Sequence, residues 1–439
     1  MTELARDRVL EQTLDLARPH TEAAEAYFLD AQSTPIEFEN NRLKSLQAKA
    51  TRGIALRVVC DGRLGFASAT DLSRLEDLVA AAVQTAAIGD VAEFDFARDP
   101  LPEEPSSDWT PDSTDAIVAV GNGLIERVRA YNPDILVSAG FGQRSSQLRF
   151  ATSHGSYGSR KRNLVSASLS GNLVRGEDLL EIFSSDVARD RLPDCDKLAD
   201  DLLEKFHRAE RNATIASGAY PVLFTPRAVA STLGRLFGTI LSGQAVHQKS
   251  SPLADKLGET LFDPRLTLRE EPNSGVSPCQ FDDEGTLTAA KDLIEAGTVR
   301  NFYWDRRWAA RAGQTSTGNG FRGGLSRPGP SLANFCMATG DTPIAEAIAK
   351  IETGIIVEQV LGAGQSNQLA GEFSVNLDLG YKIENGSIVG RVKNTAIAGN
   401  IFTAFKDQLV AIGNEAEWVG GRARLPYVLL DGLKVATKQ

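Results

Sequence analysis

The histidines of the 439-residue chain are His20, His154, His207 and His247. A zinc hydrolase needs two on one helix, with a glutamate to take the proton from metal-bound water. The residues that follow these four are Thr21, Gly155, Arg208 and Gln248, so none begins a His-Glu pair. A set drawn from separate segments, His247 with Asp255 and Glu259, competes with the plain reading of dispersed surface carboxylates. Ser153 and His154 put a nucleophile beside a base in sequence only, because neighbours on a strand point to opposite faces. Gly155-Ser156-Tyr157-Gly158 lacks the spacing of the Gly-x-Ser-x-Gly elbow of serine hydrolases. One Gly-x-Gly-x-x-Gly occurs, Gly318-Asn319-Gly320-Phe321-Arg322-Gly323. Dinucleotide binding requires a strand before this motif and a helix after it. The polar run from Arg311 to Thr315 and the Gly/Pro-rich run from Gly324 to Pro330 supply neither, so the motif reads as a flexible or ligand-covering loop. From these residues no catalytic, cofactor-binding or metal-binding side chain is assigned.

Composition narrows the classes. The net charge of -10 repels phosphate backbones, which argues against direct nucleic-acid binding. The best basic cluster, Arg160-Lys161-Arg162, has no aromatic ladder beside it and reads as a solvated turn. Cys60, Cys195, Cys279 and Cys336 are far apart with no CxxC pair, which fits a reducing compartment. The first residues are charged where a signal peptide needs an apolar core, and no stretch is apolar enough to span a bilayer. The expectation is a cytoplasmic protein with no membrane partner.

The elements that must position any site follow from hydrophobic periodicity. Leu4, Val9, Leu10, Leu14 and Ala17 recur at helical spacing. Ala24 to Asp30 and Ile36 to Glu39 read as strands, and Gly53 to Cys60 turns through Asp61-Gly62 into Arg63 to Ser68 as a hairpin. Ser73 is the expected cap of a helix with Leu75, Leu78, Val79, Ala82 and Val83 on one face. The stretch from Gly89 to Asp115 is rich in Pro, Asp, Glu and Ser and marks a boundary. A helix over 117–131 precedes four strands, Ile135 to Phe141, Gln147 to Thr152, Leu164 to Leu173 and Glu181 to Val187, an antiparallel meander. A helix over 196–209 and a second boundary near 213–218 come next. The strand Tyr220 to Phe224 then leads through the Thr225-Pro226 cap into a helix with Val229, Leu233, Leu236, Phe237 and Ile240 on one face. The last part is Gly-rich and strand-rich, with Asn385-Gly386 at a hairpin tip. Strands come in runs, so the fold class is α+β. The divisions are an N-terminal α/β domain with antiparallel strands over 1–90, a linker over 91–115, a strand-rich central domain over 116–215 and a β-rich C-terminal domain over 216–439.

Several stretches together resemble the TldD/PmbA family of gyrase modulators and peptidase subunits. They are Phe38-Glu39-Asn40-Asn41-Arg42-Leu43-Lys44-Ser45-Leu46, Gly53 to Val58, Gly62 to Ala67, Ser316-Thr317-Gly318-Asn319, Gly371-Glu372-Phe373-Ser374-Val375, Gly380 to Gly386 and Ile397-Ala398-Gly399-Asn400-Ile401. The resemblance covers nearly the whole chain in order. The TldD-like branch carries His-Glu-x-x-x-His on the helix after the central domain, where this chain reads Gly234-Arg235-Leu236-Phe237-Gly238-Thr239. No cysteine occurs from Gly413 to the end. The resemblance therefore implies the PmbA/TldE branch, a non-catalytic subunit that joins a TldD-like zinc peptidase or a second copy of itself and admits unfolded peptide. The alternatives are a self-sufficient hydrolase with another site and a homodimeric regulatory protein. Gly371, Phe373, Ser374 and Val375 are the expected peptide-facing residues: Gly371 allows close approach, and alternation sends Phe373 and Val375 to one face and Ser374 to the other. An ordinary core strand is the competing reading of that segment.

Overall fold

The computed structural model describes residues 3–104, 109–363 and 367–438, with side chains from residue 8 onward. The architecture is α+β. A seven-stranded antiparallel sheet is formed by β1 (Ala23–Glu39), β2 (Arg42–Leu46), β3 (Lys49–Cys60), β4 (Arg63–Ala69), β5 (Leu136–Thr152), β6 (Tyr157–Arg175) and β7 (Asp178–Arg189), in the order β4-β3-β1-β5-β6-β7 with β2 beside β1. Strands from both sides of the Pro-rich stretch thus share one sheet, through the β1–β5 ladder from Glu25–Thr152 to Phe38–Ala139.

The expected strands are present but longer. The two segments around Pro35 form one strand, because Pro35 lies where β1 changes neighbours. The β3 ladder ends at Ser33–Lys49 and the β2 ladder begins at Ile36–Leu46, so the missing N–H falls in the gap. The segments on either side of residues 142–146 likewise form the single strand β5. The Asp61-Gly62 turn has φ of 48° and 67°, the left-handed geometry that the pair was expected to adopt. Ser73 is not the helix cap. Arg74 occupies that position before the helix Leu75–Ala86, and the Ser73 hydroxyl donates instead to Asp71 at 2.7 Å. Nor is Arg160-Lys161-Arg162 a turn. It lies within β6, and Arg160 is buried because ion-pair partners meet it from the C-terminal part.

One end of the sheet buries Ala26, Phe28, Leu56 and Val58 under the helices Glu3–Ala17 and Leu75–Ala86. Farther along, the helices Thr114–Tyr131 and Cys195–Arg208 cover Phe38, Val137, Phe141 and Leu169. That second core continues into Leu223, Ile356, Leu379, Tyr381 and Leu429, so it joins the first sheet to the next one.

The next sheet holds twelve strands among the described residues, and its middle runs Ala423–Thr437, Gly218–Phe224, Thr353–Leu361 and Glu372–Glu384. Against it packs the helical run Pro226–Ile240. The Thr225 hydroxyl caps its first turn, and the run widens to π-type turns over Val229–Gly234. Asn385 and Gly386 close the expected hairpin with φ of 49° and 75°. Among the described residues, no helix is long and apolar enough to cross a membrane.

Candidate functional site

The helical run Pro226–Ile240 carries the position where metal donors would be sought, and its inner face serves packing. Val229, Leu233, Leu236, Phe237 and Ile240 are all at most 2 % exposed. Phe237 meets the rings of Phe405 and Phe262 edge-on at 5.2 and 5.7 Å. Gly234 is buried, and a Cβ there would come within 3.3 Å of the Val229 carbonyl and 3.4 Å of the Phe335 ring. Even a methyl group is a tight fit at that point. Gly238 accepts a hydrogen bond from the Tyr303 hydroxyl at 2.6 Å, and Thr239 donates to the Arg235 carbonyl at 3.0 Å. From Pro226 to Ile240 there is no histidine, cysteine, aspartate or glutamate. Among the described residues, no three such side chains converge anywhere in a metal-binding group.

The segment expected to face peptide begins at Gly371, in the left-handed region at φ 72°, where a Cβ would meet the Phe402 ring at 2.8 Å. Its alternation is as expected: Phe373 and Val375 are buried in the core, while Ser374 is exposed. Residues 372–376 pair with Thr395–Asn400 on one edge. On the other edge the ladder with Thr353–Leu361 stops at Leu361–Asn376. Phe373 packs on Phe224 with ring centroids 6.2 Å apart, so both apolar side chains are committed to the interior. What the segment can offer an extended ligand is main chain and the Ser374 side chain.

His247 is exposed beside the Trp308 ring, and Glu259 pairs with Lys256. With Asp255 they form no converging set. Ser153 accepts the Ala24 N–H at 2.9 Å and sits in the turn after β5.

A dense ionic junction was not singled out from sequence. Asp282, Asp283 and Glu284, a run that ordinarily reads as a solvated face, are all buried where the C-terminal part meets β1, β3 and β6. Arg57 of β3 bridges Glu25 at 2.6 Å and Glu284 at 2.7 Å. Arg322 pairs with Glu25, and Arg160 with Asp283. Burial opposes the Arg57 charge, but Glu25 and Glu284 outweigh it and hold its pKa up. Burial first, and then neighbouring Glu284, push Asp282 up to about 8 and Asp305 up to about 7. The Gly-x-Gly-x-x-Gly loop is fastened here: the Gly320 and Arg322 N–H groups donate to Asp282 and Asp283, each at 2.8 Å. Gly320-Phe321 forms a two-residue strand and no helix follows, so the motif is a loop as its flanks indicated. The signal that could have exposed the junction is the match of buried arginines on β3 and β6 to this acidic run.

Comparison with known proteins agrees with the fold. Residues 217–437 match the model of the PmbA/TldA metallopeptidase C-terminal domain, and residues 24–86 match that of PmbA/TldA metallopeptidase domain 1. An uncharacterised protein of Methanocaldococcus jannaschii is 24% identical over 91% of this chain and 94% of its own length. The metalloprotease PmbA of Escherichia coli O157:H7 is 29% identical over 49% of this chain, and the match spans 45% of that protein. The crystal structure of TldE from Thermococcus kodakarensis superposes with a TM-score of 0.88 at 22% identity, covering 98% of this chain and all of the other. A chain from Bacteroides thetaiotaomicron that bears the name of a DNA gyrase modulator gives 0.86 at the same identity, over the full length of both. With the C-terminal model alone spanning half of the chain, this protein belongs to the PmbA/TldD family.

Proposed function

We propose that this chain is the non-catalytic subunit of a TldD/TldE-type metallopeptidase complex that acts on unfolded peptides. The observation that carries the reading is the helical run Pro226–Ile240, where core side chains and two glycines stand and no metal donor does. The metal implied by the family description finds no donor set there. The chain's own contribution is to hold substrate in the extended form that a peptidase partner cleaves. Gly371 and Ser374 are the contact points, while Phe373 and Val375 brace the strand from below. Main-chain pairing with an extended peptide gives affinity with little sequence preference. The four cysteines are unpaired, consistent with a reducing cytoplasm as the site of action.

The test is co-expression with a homologue from the same source that carries His-Glu-x-x-x-His, followed by size-exclusion chromatography and cleavage of an unfolded polypeptide. The expected result is a mixed complex that cleaves, while this chain alone neither retains stoichiometric zinc nor cleaves. Cleavage by the chain alone with about one bound zinc would overturn the reading, and so would the absence of any mixed complex. For the contact segment, Ser374→Cys carrying a benzophenone label should crosslink an unfolded peptide in the assembled complex. Crosslinking no stronger than from a labelled cysteine on the far side of the chain would remove Ser374 from the site.

A further inference from the structure

The junction encloses a cavity of about 310 Å³ with a lining very unlike the acidic chain as a whole. Five arginines line it, Arg144, Arg160, Arg162, Arg322 and Arg422, against the single acidic residue Asp283. Sheet register explains the gathering. Leu29 pairs with Leu148, Leu148 with Arg160, and Ser146 with Arg162, so residues two apart on β1, β5 and β6 share the face that forms the floor. Phe321 to Gly324 and Ser331 to Ala333 form the opposite wall, which places the glycine-rich loop over the cavity.

The arginines divide into two groups. Arg160 and Arg322 are neutralised by Asp283 and Glu25 and hold the walls together. Among the described residues, Arg144, Arg162 and Arg422 pair with no carboxylate. Arg162 is bonded to the Pro278 carbonyl at 3.3 Å, and among the described residues its buried Nε–H meets no acceptor. Burial and then neighbouring Arg160 pull the Arg162 pKa below its ordinary value. Gathering like charges around a partly closed volume is unfavourable unless an anion offsets them, and guanidinium forks suit planar or tetrahedral oxyanions. Leu29, Leu148 and Leu332 leave part of the wall apolar, enough to seat a small organic body beside the charge.

We propose that this cavity is an oxyanion-binding site, taking a ligand that presents a carboxylate or phosphate group to Arg144, Arg162 and Arg422. The inference stands on the cavity and does not depend on the subunit role. Calorimetric titration of the intact chain at low salt tests it with three probes: inorganic phosphate, N-acetylleucine and N-acetylleucinamide. At least one anion should bind, more weakly as salt rises, and the neutral amide should not. Phosphate binding alone points to a phosphorylated small ligand, and acetylleucine binding alone to a peptide carboxylate. Arg144 and Arg422 are exposed, so the double variant R144Q/R422Q should fold as the parent does and bind the anion at least about tenfold more weakly. R162Q should do the same. Absence of binding by both anions would overturn the proposal, as would equal binding by the amide or affinity unchanged in all variants.

Discussion

Phe237→Ala is the sharpest probe of whether the helical run Pro226–Ile240 is core. Phe237 is fully buried and touches two further aromatic rings. Truncation of such a side chain removes its transfer free energy and leaves a cavity, at a typical cost of ~3–5 kcal/mol. The two edge-on ring contacts, each worth ~0.5–1.5 kcal/mol, are part of that sum. For a cooperative unit of ~150–250 residues, 1 kcal/mol moves Tm by ~2–4 °C, so a fall of ~6–20 °C is expected. Gly238→Ala supplies the opposite sign one residue away. A Cβ at Gly238 would meet nothing within 4 Å, and replacing a helical glycine by alanine gains ~0.5–1 kcal/mol. Differential scanning calorimetry of the two variants against the parent reads both effects. A Phe237→Ala midpoint within ~2 °C of the parent, or a loss from Gly238→Ala, would refute the orientation given to this helix and its role as core.

The junction gives two more predictions. Arg57→Met removes the cation between two buried carboxylates and should cost ~3–5 kcal/mol in urea unfolding. Adding Glu25→Gln and Glu284→Gln should recover part of that loss, and no recovery would show that packing rather than uncompensated charge sets the cost. Asp305 and Asp282 keep protons when folded that unfolded carboxyls release near pH 4, so their stabilising contribution is complete below about pH 4. It is lost as pH rises through about 7 and 8, respectively. Asp305→Asn keeps an acceptor for the Trp308 N–H and should lessen the fall in stability between pH 5 and pH 8. An unchanged pH slope would place Asp305 among ordinary ionised carboxylates.

What was legible in the sequence was local. Asp61-Gly62 and Asn385-Gly386 name their turns because few residues tolerate positive φ, and the spacing of Leu233, Leu236, Phe237 and Ile240 names a buried face. Glycine, arginine and threonine at 234, 235 and 239 also show without coordinates that the residues of His-Glu-x-x-x-His are missing there. What failed was non-local. Ala24 to Asp30 and Ile36 to Glu39 read as two strands, yet the chain runs through as one, with Pro35 at a change of neighbours where no donor is called for. The basic run at 160–162 reads as a solvated turn because charge is ordinarily left in water, and nothing local marks the acidic run at 282–284 as its partner.

Each run becomes tolerable inside only through the other and through Arg57, more than a hundred residues away from either partner in the cases of Arg160–Asp283 and Arg57–Glu284. Once folded, the pairing is asymmetric. The acids are consumed by Arg57, Arg160, Arg322 and backbone N–H groups, whereas the cations at Arg144, Arg162 and Arg422 are left over and face one cavity. Arg144 and Arg422 are hydrated where they stand, but the Arg162 Nε–H is buried with no acceptor among the described residues, and an apolar side chain would avoid that cost. The excess positive charge is therefore the feature of this interface that packing leaves unexplained, and an anion is the simplest thing that explains it.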